Sequence, residues 1–224
     1  MWLLPMDLST CLVERMLNST TKYLFMKQLI VLTGLLSMTI FMSCKTNNNF
    51  TNEENLQYTK MGNRIVKQSF DTLRSSLQTA ISEQGVANAI SFCQVNAYPL
   101  TDTYASDSVF IRRTALKYRN PANKPDSIEE RILHFFASQK ENGIENDSLK
   151  TVTERTANGI INFYKPIILQ PMCATCHGDK SNLMNTDLWK TIDSLYPSDM
   201  AYGFKPGDIR GMWHIQFTTK NKAK

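Results

Sequence analysis

The chain has 224 residues, 42% of them hydrophobic and 20% charged, enough material for one sizeable core or a core with a helical extension. Its net charge of +5 is modest and scattered. Without a basic stripe or interleaved aromatics, the composition argues against a nucleic-acid groove.

Residues 1–25 do not suit the start of an export signal, so they read as an upstream extension and Met26 as the true initiator. From there a single lysine precedes sixteen uncharged residues, Gln28 to Ser43, shorter than the roughly 20 apolar residues a membrane-spanning helix needs. Residues 26–43 therefore read as a signal peptide. Its Ser-Cys ending resembles a bacterial lipoprotein signal, in which Cys44 carries lipid and becomes the mature N-terminus. Residues 44–54 are polar and suit a tether. These features place the folded part on the periplasmic or envelope side of a bacterial membrane, held there by the lipid.

Ile65, Phe70, Leu73, Leu77 and Ile81 follow an approximate helical repeat, which predicts one amphipathic helix over about 53–84. Gly85 punctuates it. A second helix follows, with Ala87, Ile90, Cys93, Gln94 and Ala97 on one face, and is expected to stop by Pro99. "SVFIRRTALKY" (108–118) has strand character, and "RNPANKPD" (119–126) suits a fixed loop. Ser127 is expected to cap a helix to about Gln139, with Glu130 completing a capping box. "ANGIINFYKPIILQ" (157–170) reads as a strand leading to the next motif. A short helix at Leu188–Leu195 and a strand at Ile209–Thr218 complete the domain, and 219–224 form a basic tail. This pattern predicts an α+β domain, an antiparallel sheet covered on one face, without internal repeats.

Five cysteines occur, Cys11, Cys44, Cys93, Cys173 and Cys176. Removal of the leader and lipidation of Cys44 leave a CxxC pair and one odd thiol, which in an oxidising compartment requires an explanation. "CATCHGD" (173–179) places His177 directly after the pair. A redox disulfide does not need that histidine, and zinc would need a fourth ligand at a spacing the chain lacks. Covalent haem uses all three residues: Cys173 and Cys176 as thioethers, and His177 as proximal iron ligand. The cofactor expected is one haem c.

Only 47 residues follow His177, so the sixth ligand is expected from upstream. Candidates are Cys93, His134, His214 and the methionines. Met172 adjoins the motif and is poorly placed to swing over, while Met184, Met200 and Met212 read first as core filling. His134 reads as a core or boundary histidine, and His214 alternates within a strand and faces either way. A buried Cys93 is compatible with simple packing, but its odd thiol favours the ligand. Arg112, Arg113 and Arg119 are candidate contacts to haem propionates, because guanidinium pairs well with carboxylate; a solvated basic face is the alternative.

Four blocks in order carry more than spacing: "AISFCQVNA" (89–97), "IRRTALKYRNPANKPD" (111–126), "CATCHGD" (173–179) and "YPSDMAYGFKPGDIRGMWHI" (196–215). Together they resemble the Tll0287-like haem domain family over about 55–218. The resemblance implies a single PAS-like α+β domain with long N-terminal helices and a c-type haem ligated by His177 and the Cys93 thiolate. Ala115 is a small departure, standing where serine is usual in the "RRT" block.

A thiolate donates charge to iron, favours the ferric state and lowers the reduction potential, and its bond weakens on reduction. Two functions follow: low-potential electron transfer to a redox partner protein, or sensing of redox state or a small gas through thiolate release. No kinase, methyl-accepting or DNA-binding segment is visible. An enzyme would need an open sixth position with distal acid and base groups, so catalysis is not expected.

Overall fold

The computed structural model describes residues 50–181 and 186–218. The expectations for the extension, the signal, Cys44, Met184 and the basic tail, and for most of the tether, lie outside the described residues.

The apolar repeat of the N-terminal segment forms α1, Asn52–Asp102, 51 residues long. Thr51 opens it with a capping box: its hydroxyl accepts from the Glu54 amide while the Glu54 carboxylate accepts from the Thr51 amide. Gly85, at φ 80° and ψ 164°, leaves helical geometry and divides α1 into 52–84 and 86–102. No atom lies within 4 Å of where its Cβ would stand, so backbone conformation rather than space calls for glycine there. The second half does not stop at Pro99. A proline removes only its own amide bond to the fourth residue back, and the next turn closes when Thr103 N donates to Pro99 O at 3.1 Å.

Four strands follow, β1 (Val109–Thr114), β2 (Val152–Arg155), β3 (Ile161–Ile168) and β4 (Ile209–Phe217). They form one antiparallel sheet in the order β1-β4-β3-β2. The short strand β2 has no counterpart in the sequence reading. Its four residues are all half-buried at a sheet edge and show no alternation. Strand β1 also ends earlier than expected, at Thr114, where the chain turns into a 3-10 segment at Pro121–Asn123.

Between β1 and β2 lies α2, Ser127–Glu141. Its cap is Asp126 rather than Ser127: the Asp126 carboxylate accepts from the Glu129 amide at 2.8 Å, and Glu129 accepts from the Asp126 amide at 3.0 Å. The capping box is therefore shifted by one residue from that expected, because the aspartate reaches the N3 amide from outside the helix.

Strand alternation separates two cores. Ile111, Ile161, Phe163, Trp213, Ile215 and Phe217 face α1 and pack with Val66. Tyr164 and Met212, on the reverse face, pack against Ile132, Leu133 and Phe136 of α2. The sheet is thus covered on both faces rather than one. Each large side chain buried there contributes roughly 1.5–3 kcal/mol. Two short helices remain, α3 (Ala174–His177) and α4 (Thr186–Leu195). A third cluster joins Ile90 of α1 to Leu188, Trp189 and Ile192 of α4, with Cys176 against it.

Among the described residues, no helix is long and apolar enough to cross a membrane.

Candidate functional site

On the α1 side of the sheet a cavity of about 450 Å³ opens where β3, β4 and β1 come together. Both halves of α1 wall it: Phe70, Leu73, Leu77 and Ile81 from the first, Val86, Ile90, Cys93 and Ala97 from the second. Leu73, Leu77 and Ile81 of the expected apolar stripe therefore serve the cavity, Ile65 packs on the sheet core, and Phe70 touches both. Ile167, Leu169 and Trp213 form the facing wall. The 3-10 turn Pro171–Cys173 and α3 then bring in Met172, Cys173, Cys176 and His177.

Cys93, Cys173 and Cys176 are all free thiols, and all line this one cavity. Burial pushes the Cys93 thiol up, partly opposed by the positive charges of Arg113 and Arg119. Burial likewise pushes the Cys176 thiol up to about 11.

His177 is the best-defined polar group of the site. Its Nδ1 lies 2.8 Å from the Ala201 carbonyl oxygen, which can only accept, so Nδ1 carries the proton and donates it. Nε2 is then the bare nitrogen, the form a metal-binding imidazole requires. Arg210 Nε also approaches Nδ1, at 3.3 Å, but a protonated Nδ1 has no lone pair to accept from it. We read that longer contact as proximity of charge. Burial first, then the Arg210 and Arg119 guanidinium groups, hold the His177 imidazole neutral well below the ordinary histidine range.

The three arginines singled out from sequence separate. Arg113 lines the cavity, donating from Nη2 to Ala97 O at 3.2 Å with its guanidinium 5.6 Å from the Trp213 ring centre. Arg119 also lines it; its Nη2 lies 2.6 Å from Cys176 O and 3.1 Å from Asp199 Oδ2. Its Nε is buried with no acceptor among the described residues. Arg112 is a correction: adjacent strand residues point to opposite faces, and it turns toward α2. There it donates to Ala122 O and Lys124 O, with Nε 3.5 Å from Glu129 Oε1. It does not line the cavity.

Arg210 escaped the sequence reading. Simple alternation would put it on the reverse face with Met212 and His214, but the pairing shifts between Ile167 and Ile168, opposite Gly211 and Ile209. This bulge turns Arg210 into the cavity lining, where it donates to Lys117 O. Tyr98 and Tyr196 also line the cavity and were not anticipated.

Other candidate ligands lie elsewhere. His214 is buried on the reverse face, its Nδ1 donating to Glu129 Oε1 at 2.7 Å, with Nε2 3.1 Å from Asn162 Oδ1 and Tyr164 stacked against the ring. Met212 is buried there too. His134 is exposed on α2 beside Glu130, not at a core boundary. Met200 is exposed. Met172 does line the cavity, with its sulfur 3.8 Å from Gln78 Nε2.

The arrangement suits a large, mostly apolar group bearing carboxylates. Apolar side chains wall the cavity, two thiols and the His177 imidazole sit at one end and a third thiol on the helix wall. Arg113, Arg119 and Arg210 supply positive charge, and the unpartnered Arg119 Nε is a buried donor that calls for an acceptor from a ligand.

The model of the Tll0287-like family (Tll0287) matches residues 39–218. Among solved structures, the crystal structure of the cyanobacterial heme-protein Tll0287 is similar at 25% identity and a TM-score of 0.53, covering 77% of this chain and 99% of that one. No curated protein matches.

Proposed function

This chain belongs to the Tll0287-like family, and from that premise we propose that it is a haem protein with one covalent haem c, working in low-potential electron transfer at the cell envelope. The observation that carries the reading is convergence. Cys93 and the Cys173-Cys176-His177 motif come from separate helices, yet all line one cavity, with every thiol free.

In this reading Cys173 and Cys176 would form the thioethers, and His177 through Nε2 and Cys93 through its thiolate would hold the iron. Arg113, Arg119 and Arg210 line the same cavity and would hold the propionates. Bound iron supplies one-electron chemistry, and a thiolate ligand sets it at low potential. Burial opposes ionisation of Cys93, while the neighbouring Arg113 and Arg119 charges favour it. A Cys93 thiolate holding the iron would leave no position open for substrate, so we propose no catalytic role. A lipid on Cys44 would anchor the protein to a membrane, with electrons passed to a protein partner.

A second reading, redox or gas sensing, is favoured by one feature of α1. Cys93 lies on the 86–102 half, set off from the rest by the non-helical Gly85 and packed on α4 through Ile90. Release of the thiolate would free that half to move. The PAS-like description implied by the family resemblance belongs to this reading as an analogy of fold.

Electron paramagnetic resonance of the oxidised protein, produced in cells able to attach haem, tests the assignment beside Cys93→Ala. A low-spin thiolate signal lost in the variant, with haem still attached, supports the His177 and Cys93 pair. An unchanged signal refutes it and returns Cys93 to packing.

A further inference from the structure

A buried ion pair joins Arg119, in the segment between β1 and α2, to Asp199 of the loop between α4 and β4. Arg119 and Asp199 meet at 3.1 Å, with side chains 11% and 1% exposed. Asp199 Oδ1 accepts from Ala201 N at 2.8 Å, and Arg119 Nη2 reaches toward Ala201 O at 3.4 Å while donating to Cys176 O at 2.6 Å. Ala201 is the residue whose carbonyl accepts the His177 Nδ1 proton. The same loop grips the backbone beyond the motif, through Gly203 N to Gly178 O at 2.7 Å and Phe204 N to His177 O at 3.0 Å.

We propose that the Arg119–Asp199 pair is the positioning device for His177: it fixes the Ala201 carbonyl, and through it the tautomer and ring orientation that turn Nε2 toward the cavity. Outer partners of this kind orient a metal-binding histidine and adjust its donor strength. A pair wholly devoted to packing would be costly, because desolvating two charges is repaid only when both are well bonded. Here the bonds of both charges converge on Ala201, whose carbonyl accepts from His177. Arg119 therefore has two roles: its Nη2 side serves the histidine, and its Nε remains for the ligand.

The pair also contributes balanced charge. Removal of Asp199 leaves a buried positive charge, which disfavours ferric iron and raises the midpoint potential. Removal of Arg119 leaves a buried negative charge and lowers it. A residue that only filled space would not give shifts of opposite sign.

This inference rests on the haem reading. The test is spectroelectrochemical titration and electron paramagnetic resonance of the haem-loaded full chain, wild type beside Asp199→Asn, Arg119→Gln, Arg119→Lys and the reverse-face control Arg112→Gln. The expected result is an upward shift for Asp199→Asn and a downward shift for Arg119→Gln. Arg119→Lys keeps the charge, so its potential should fall less than that of Arg119→Gln, while the low-spin signal splits into more than one species, as the ring loses its single orientation. Arg112→Gln should change neither. An unshifted potential with a single unaltered signal in the Asp199 and Arg119 variants overturns the proposal. If Arg119→Gln does not fold, Asp199→Asn decides alone by the same two readouts. Wild-type protein without a histidine-ligated haem signal would instead refute the underlying haem reading, a different and separately visible failure.

Discussion

Gly62 sits where α1 crosses the sheet, and Gly62→Ala tests how closely that crossing is set. A Cβ there would overlap Phe163 Cδ1 and Cγ and lie 2.7 Å from Cε1. Ordinary carbon contacts begin near 3.5 Å, so helix and ring must separate by about 1 Å, and a gap of that size forfeits up to about half of each contact's attraction. Phe163 is fully buried in the cluster that holds α1 to the sheet, so the ring has no free space to move into. Overpacking costs about 1–3 kcal/mol, and alanine returns about 1 kcal/mol over glycine within a helix. With so short an approach the net expectation is a loss of about 1–2 kcal/mol. For a domain of this size that lowers the melting temperature by roughly 2–8 °C. Thermal unfolding followed by circular dichroism measures it, beside Phe163→Leu and the double variant. A Gly62→Ala protein that melts at or above the wild-type temperature refutes the reasoning. So does a penalty that persists undiminished in the Phe163→Leu background, since the ring would then not be its cause. The same helix carries Leu73 and Leu77 to the cavity, so the separation should also disturb the haem environment.

Further expectations concern the two faces of the sheet and the attachment site. Cys173→Ser with Cys176→Ser should abolish haem that survives denaturing electrophoresis; retained staining would overturn thioether attachment. Glu129→Ala removes the carboxylate shared by His214 and Arg112, and loss of one partner from such a buried group should cost about 3 kcal/mol in denaturant unfolding. Because that cluster lies across the sheet from the cavity, the visible spectrum should stay unchanged, and an altered Soret band would show that the faces are not separate. Arg113→Gln should alter the spectrum or the midpoint potential while Arg112→Gln leaves both as in wild type; equal effects would contradict the strand alternation. Cys44→Ser should release the mature protein into a detergent-free extract, whereas a wild type already soluble there would remove the case for a lipid anchor.

Much of this protein is legible in its sequence because the relevant physics is local. Helical spacing of apolar residues marks α1 and period-two alternation marks β4. The motif at Cys173, Cys176 and His177 is a contiguous piece of chemistry, and ordered blocks around it carry the family. What the chain could not declare in one dimension depends on neighbours distant in sequence. Strand β2 exists because β3 is there to pair with it, not because its own residues alternate. Arg112 and Arg113 look equivalent in the chain, and only the faces taken up by α1 and α2 tell them apart. Arg210 reaches the cavity through a bulge created by its pairing with β3. The Ala201 carbonyl has no side-chain signature at all, since any residue supplies a backbone oxygen; it acts on His177 because the loop between α4 and β4 is folded back across the motif. Local spacing thus determined which residues carry chemistry, and tertiary packing decided which of them face one another, because a side chain's partners are set by the surfaces that enclose it.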